Sequence, residues 1–322
     1  PNTYLNQRHK MSKVANYSKL SPAVSVVIIA MSTFASIAKA ELKPMGDVEL
    51  SAHVGQAMIA FDTTEGATAA DPSTTRVTMG LNTEFQVNID DLEVGNYSTA
   101  DTLTSDLNVS NLSYGSISTD AAQVQIDGNT YAVGEIVPFM ANDPYFEMTE
   151  NSAGELIGFR VGFNEARGQL SGDFKSLSGN VGMDVVDSAG TTHQASLLDA
   201  NGLADNTRST NIGIDATASG NTGAGCTVAT YCYDVSQFET LDIGERNAVD
   251  GSTDITKDFF ISIQKEDVSW STSAGSITAG QGAFINLPTS MVIDAATINA
   301  NGGVYGTPRV RTEYIDRGVG LF

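Results

Sequence analysis

From residue 143 to 186 the chain reads DPYFEMTENSAGELIGFRVGFNEARGQLSGDFKSLSGNVGMDVV, and its middle alternates with period two. Ile157, Phe159, Val161 and Phe163 fall on one side, Gly158, Arg160, Gly162 and Asn164 on the other. That is the pattern of a half-buried strand, and it predicts the apolar set inward and Arg160 on a wet face. Just upstream, Phe146 and Met148 alternate with Glu147 and Thr149, and the break at Asn151-Ser152-Ala153-Gly154 predicts a hairpin joining the two runs. Downstream the apolar phase slips from Leu170 and Phe174 to Leu177, Val181, Met183 and Val185. A one-residue shift moves every side chain to the other face, so the slip requires a bulge or a corner.

Short runs of the same kind continue in both directions. Strands are expected at Phe85, Val87 and Ile89, at Leu107 and Val109, at Leu112 and Tyr114, at Phe259, Ile261 and Ile263, at Val268 and Trp270, and from Phe284 to Leu287. Gln123 to Val133 reads as a further hairpin, with Val124 and Ile126 facing Tyr131 and Val133 across Asp127-Gly128-Asn129. The fold class is therefore all-β, with antiparallel sheets arranged as a sandwich or open barrel. Leu-Ser-Gly triplets at Leu170 and Leu177 keep a solenoid as the alternative. One short helix is expected, within an N-terminal segment at 41–62: Asp47 caps it, Leu50 and Val54 share a face, and Gly55 ends it before Met58 to Phe61 become extended. Thr63 to Thr75 reads as a linker, residues 76–322 as the β domain, and 187–256 as a loop-rich insert of surface loops with a few short strands.

The termini and the charge narrow the setting. Met11 opens a segment with Lys13 and Lys19, an apolar run from Ala23 to Ala30, and Ala38-Lys39-Ala40, the order of a secretory signal peptide over 11–40. Cleavage is expected after Ala40, and Pro1 to Lys10 read as over-translated upstream sequence; the competing reading, an uncleaved anchor over 21–38, is opposed by Pro22 and the serines there. The chain carries 17 Lys and Arg against 38 Asp and Glu, and setting the first 40 residues aside leaves 12 against 38. So acidic a surface repels phosphate backbones and anionic lipid, which excludes nucleic acid as an expected partner. Once the signal is removed, no integral membrane span is expected. Cys226 and Cys232 are the only cysteines, and in an oxidising compartment a pair this close is expected to form a disulfide that pins the loop AGCTVATYC.

Candidate chemistry is sparse. His53 and His193 are the only histidines after the leader, and no nucleophile elbow, metalloprotease helix or phosphate loop occurs. Acidic clusters stand at Asp90, Asp91 and Glu93, and at Glu266 and Asp267 beside Trp270. They admit a sugar site or calcium as alternatives, without the spacing that would fix ligands. No catalytic residue, metal or cofactor is expected. Counting back by twos from Phe322 meets Gly320, Gly318 and Asp316, a poor lipid-facing strand, which disfavours an outer-membrane barrel.

Four blocks carry a family resemblance: LKPMGDVELSAHVGQAMIAFD, then NDPYFEM with LIGFRVGFNEARGQLSGDFKSLSGNV, then FFISIQKEDVSW, then PRVRTEYIDRGVGLF. Together they resemble the FilA-like proteins, exported gammaproteobacterial proteins associated with a pilus system, with 187–256 the least alike. The resemblance implies a non-enzymatic structural or accessory component located in the periplasm, on the outer surface or secreted, with other pilus-system or envelope proteins as partners. A secreted carbohydrate-binding or carbohydrate-cleaving β protein and a calcium-dependent adhesin are the alternatives. For assembly through an exposed strand edge, the sequence offers Phe259, Ile261 and Ile263, flanked by Lys257, Lys265 and Glu266.

Overall fold

Period-two alternation over long stretches sets up long strands, and turn-rich stretches cut the remainder into short ones. The structure, a computed structural model, describes residues 59–66, 71–98, 103–300 and 306–313. The upstream residues 1–10, the leader at 11–40 and the helix expected near Asp47 lie outside the described residues. The first half of the chain forms β1 (Ile59–Thr64), β2 (Ser73–Met79), β3 (Asn82–Phe85), β4 (Val87–Ser98), β5 (Leu103–Tyr114), β6 (Ser116–Ile117), β7 (Ile136–Val137), β8 (Phe139–Glu150) and β9 (Leu156–Leu177). It continues with β10 (Gly179–Val181), β11 (Asp184–Val186), β12 (Thr192–Gln194), β13 (Ser196–Leu198), β14 (Asn211–Gly213), β15 (Cys232–Asp234) and β16 (Thr240–Ile243). Last come β17 (Glu245–Arg246), β18 (Thr253–Asp254), β19 (Phe260–Gln264), β20 (Val268–Thr272), β21 (Gly275–Ala279), β22 (Gly282–Leu287) and β23 (Val292–Asp294). Two short helices, α1 (Ala216–Ser219) and α2 (Ala295–Ala300), interrupt them. The all-β expectation holds, and pairing is antiparallel except where β10 runs parallel to β22 and β11 to β23.

The 22-residue β9 organises an 11-stranded sheet. Its first half pairs with β8 and β19, its second half with β5 and β16. The expected hairpin is present: Phe146 stands opposite Val161 and Met148 opposite Phe159. Asn151 Oδ1 closes the turn by accepting from the backbone N–H groups of Ala153 and Glu155, and Gly154 supplies the positive φ of 77°. Asp187 and Asp199 build the same loop with Gly190 and Gly202, and these backbone donors hold both carboxyls below the usual aspartate range. The apolar slip after Phe174 is a bulge. Asn108 faces Ser176 while Val109 faces Phe174, so Lys175 is left unpaired and exposed, and Leu177 turns inward.

Two other expectations need correction. Gln123 to Val133 forms one isolated bridge, Val124 to Thr130, and no strands. Asp127 gathers the Asn129 amides and the Tyr131 hydroxyl at 2.6–3.0 Å, which ties the turn locally, while Val124 and Val133 stay exposed because no sheet flanks the arm to bury them. Within 187–256, the segment expected as surface loops, Leu197, Ile212, Ile214, Tyr233, Leu241 and Ile243 are buried in the main core beside Leu107, Phe139, Leu170 and Phe174. Strands of three residues give too short a pattern to read, yet stacked together they close one side of that core. The disulfide forms as expected: Cys226 and Cys232 lie 5.2 Å apart at Cα and tie the Gly-rich loop to the start of β15.

The largest departure concerns the faces of β9. Arg160 is 1% exposed and Phe159 38%, the reverse of what alternation alone predicts. The cause lies across the strand. A Cβ on Gly158 would meet the Trp270 ring at 3.0 Å, and one on Gly162 would meet the Tyr145 hydroxyl at 2.6 Å. The glycines leave space on the Arg160 face: Tyr145 fills it at Gly162, and the β20–β21 hairpin fills it at Gly158, burying Val268, Trp270 and Ala279 with Ile157, Phe260 and Phe284. Under this cover Arg160 Nε donates to Glu147 Oε2 and Arg76 Nε to Glu147 Oε1, each at 2.6 Å. The Arg160 guanidinium carbon sits 5.0 Å from the Trp270 ring centroid and 4.7 Å from that of Phe260, and Nη1 donates to the Ser271 carbonyl.

Arg160→Ala is expected to destabilise the fold by roughly 3 to 5 kcal/mol, because it leaves Glu147 buried with a partner lost. Phe159→Ala should cost well under the ~3–5 kcal/mol of a fully buried phenylalanine; urea unfolding of the two variants measures the order. Replacing Cys226 and Cys232 with Ser should cost about 2 kcal/mol, the chain-entropy value for so short a loop, and leave the circular dichroism spectrum of the folded protein unchanged.

Candidate assembly surface and polar cleft

With the Arg160 face covered, the apolar face of the same strands is left partly open. Register sets Phe61, Val77, Phe146, Val161, Ile261 and Ile285 opposite one another in one row across six strands. The next row on that face is Thr63, Thr75, Met148, Phe159, Ile263 and Ala283. Phe61 is 75% exposed and Ile263 52%; Phe146, Met148, Val161 and Ile261 are half-buried. Neither row contains a charged side chain. The Phe146 and Phe159 rings, 6.2 Å apart, fix the middle of the surface.

At its edge lies β1, exposed along its whole length, paired with β2 on one side and with no strand on the other among the described residues. Such an edge presents backbone N–H and C=O groups to any incoming strand. The segment with Phe259, Ile261 and Ile263 does not offer one: β19 is bonded to β9 on one side and β22 on the other, so its backbone groups are already used. Phe259 is buried against Phe139 and Phe163. Of the three, Ile263 presents an exposed side chain, and it does so through the face of the sheet instead of its edge. Sequence alone could not find this surface, because it depends on which strands become neighbours.

The acidic clusters do not gather into a site. Asp90 and Asp91 are exposed on β4, and Glu266 and Asp267 are exposed while Trp270 is buried against Arg160, leaving no ring open to a ligand beside them. His193 Nε2 lies 3.1 Å from Asp187 Oδ2 at a hairpin loop. Among the described residues no group of three or more His, Cys, Asp or Glu side chains is placed to hold a metal ion, and no helix is long and apolar enough to cross a membrane.

A second feature is polar. Cavities of about 450 and 360 Å³ adjoin beneath the 123–128 arm and share Gln123, Gln125 and Gln169 in their walls. The larger is closed by Ser116, Ser118, Thr119, Arg309 and Arg311, the smaller by Asp242, Ser252 and Thr253. Gln169 is the floor: its Oε1 accepts from Ser116 Oγ at 2.8 Å and its Nε2 donates to Asp242 Oδ1 at 3.3 Å. The far wall is the extended segment 306–313, held mostly by side-chain bonds, with Arg309 N–H donating to Glu239 Oε2 and Val310 N–H to Thr240 Oγ1. Burial raises the Asp242 carboxyl above the ordinary aspartate range, and the Gln169 bond offsets part of that rise.

Because folded Asp242 holds its proton more tightly than the unfolded chain does, its contribution is favourable at low pH and is lost as pH rises through the raised value. Asp242→Asn keeps an acceptor for Gln169 and is expected to raise the unfolding midpoint at neutral pH. The gain should vanish below about pH 4, where the acid is protonated in both states; thermal melts across that range measure it.

No protein-family model, no curated protein and no solved structure matches the chain.

Proposed function

We propose that the protein is an exported, non-enzymatic structural or accessory component of a surface filament or pilus system, with envelope proteins as its partners. The observation that carries the reading is the pair of uncharged rows on the partly open face of the main sheet, exposed at Phe61, Phe159 and Ile263 and bordered by the edge of β1, which pairs with no second strand among the described residues. A sheet with both features can be extended by a neighbouring strand or covered by a neighbouring sheet, the two ways in which β proteins join. The leader-like 11–40 segment supports export, and the Cys226–Cys232 bridge fits an oxidising compartment. Its site of action, on this reading, is the periplasm or the outer surface, and the resemblance to the FilA-like proteins agrees with both.

Ile263→Asp and Phe61→Asp test the reading directly. Both side chains are exposed, so each variant is expected to keep its β-sheet circular dichroism and to unfold within about 1 kcal/mol of the parent. Each should also stop co-purifying with envelope complexes, since a charge in the middle of an apolar contact is costly to bury. Folded variants recovered in those complexes at the parental level would refute assembly through this face.

A further inference from the structure

The cleft under the 123–128 arm is not used by the assembly reading, and its chemistry points to a ligand of another kind. Its walls carry three glutamine amides with serine and threonine hydroxyls and, in the larger cavity, two arginines and no carboxylate. On a chain of net charge −21 this is a local reversal of sign. Arg309 is occupied, donating to Asp173 Oδ1 at 3.1 Å and to the Asn111 carbonyl. Arg311 lines the same space with its backbone carbonyl fixed by the Ile117 N–H at 2.7 Å, and its side chain makes no hydrogen bond or ion pair with the described residues. Gln123 and Gln125 are two apart in an extended stretch and line both cavities, so their amides address one ligand together.

We propose that this cleft binds an acidic saccharide, a pyranose ring bearing a carboxylate. The Gln123 and Gln125 amides each offer a donor and an acceptor side by side, the match for adjacent hydroxyls that are themselves both donor and acceptor, while Gln169 is held by Ser116 and Asp242. Arg311 supplies the planar fork that takes a carboxylate in two bonds. The volume of the larger cavity falls within the ~300–1,000 Å³ of small-molecule sites. No aromatic ring lines either cavity, which disfavours a nucleobase. Cleavage is disfavoured too, because glycoside hydrolysis needs two carboxyls about 5–9.5 Å apart and Asp242 is the one acid in these walls. The acidic exterior repels the ligand at a distance, so recognition rests on contacts inside the cleft.

The test uses the mature full-length protein on an array of uronate- and sialate-bearing oligosaccharides beside their neutral counterparts, followed by calorimetric titration of the strongest member. Binding to one or more acidic members is expected, with Arg311→Gln and Gln125→Ala each weakening it about tenfold or more, the usual effect of losing a hydrogen bond to a charged group or a paired amide. Both variants should keep the parental unfolding midpoint, since neither side chain supports the fold. The proposal is overturned if no acidic member binds, if neutral counterparts bind equally well, or if binding survives both substitutions in folded protein.

Discussion

A guanidinium buried between a carboxylate and aromatic rings decides how the main sheet is used. Removing Arg160 and Glu147 from water carries a desolvation cost of several kcal/mol per ion. That cost is met by close contacts: two arginines share the two oxygens of Glu147, and the rings of Trp270 and Phe260 lie beside the Arg160 guanidinium. All of this requires a lid over that face, which the β20–β21 hairpin provides. Charge pairing and lid support each other: Arg160 lies beneath Trp270 beside the apolar cluster that the hairpin buries, and the ion pair is screened and weak without the hairpin.

The consequence reaches the opposite face. A sheet of alternating residues has two sides, and once the Glu147 and Arg160 side is sealed, the side with Phe146, Phe159 and Ile263 is left to meet solvent or a partner. Toward the other end of β9 the arrangement changes. Gly168 lies against Phe139 and the bulge at Lys175 turns Leu177 to the side that Leu170 and Phe174 already face, so all three enter the principal core with the short strands of the 187–256 segment. One strand thus serves two environments: its N-terminal half holds a buried ion pair beneath an open apolar surface, and its C-terminal half is packed within the core.

The cleft belongs to the packed half. Gln169, one residue before the buried Leu170, points to the other side and becomes the cleft floor, and the segment around Arg309 and Arg311 is clasped to β16 by Glu239 and Thr240. The apolar surface and the cleft are therefore built from the same strand by the same alternation, and they differ in what the neighbouring segments bring. The sheet face receives aliphatic and aromatic side chains from β1, β8 and β19; the cleft receives amides, hydroxyls and arginines from loops and a strap.

By itself the sequence determined what depends on near neighbours in the chain. The β class follows from alternation, the Asn151 hairpin and the bulge after Phe174 follow from turn chemistry and phase, and the Cys226–Cys232 bridge follows from two thiols close together. Tertiary structure decided what depends on partners far along the chain. Alternation separates Phe159 from Arg160 but is silent on which side is covered, and that was settled by Gly158 making room for Trp270, more than a hundred residues downstream, and Gly162 for Tyr145. In the same way β19 has the pattern of any half-buried strand, and only the arrival of β22 on its second side, opposite β9, withdraws it from the sheet edge. The arm at 123–133 has hairpin residues and no sheet to join, and the three-residue strands of 187–256 carry too little pattern to be read until stacking supplies their burial. Period and turn type are local properties of the chain, whereas burial and edge position arise from contacts that the chain makes only when folded.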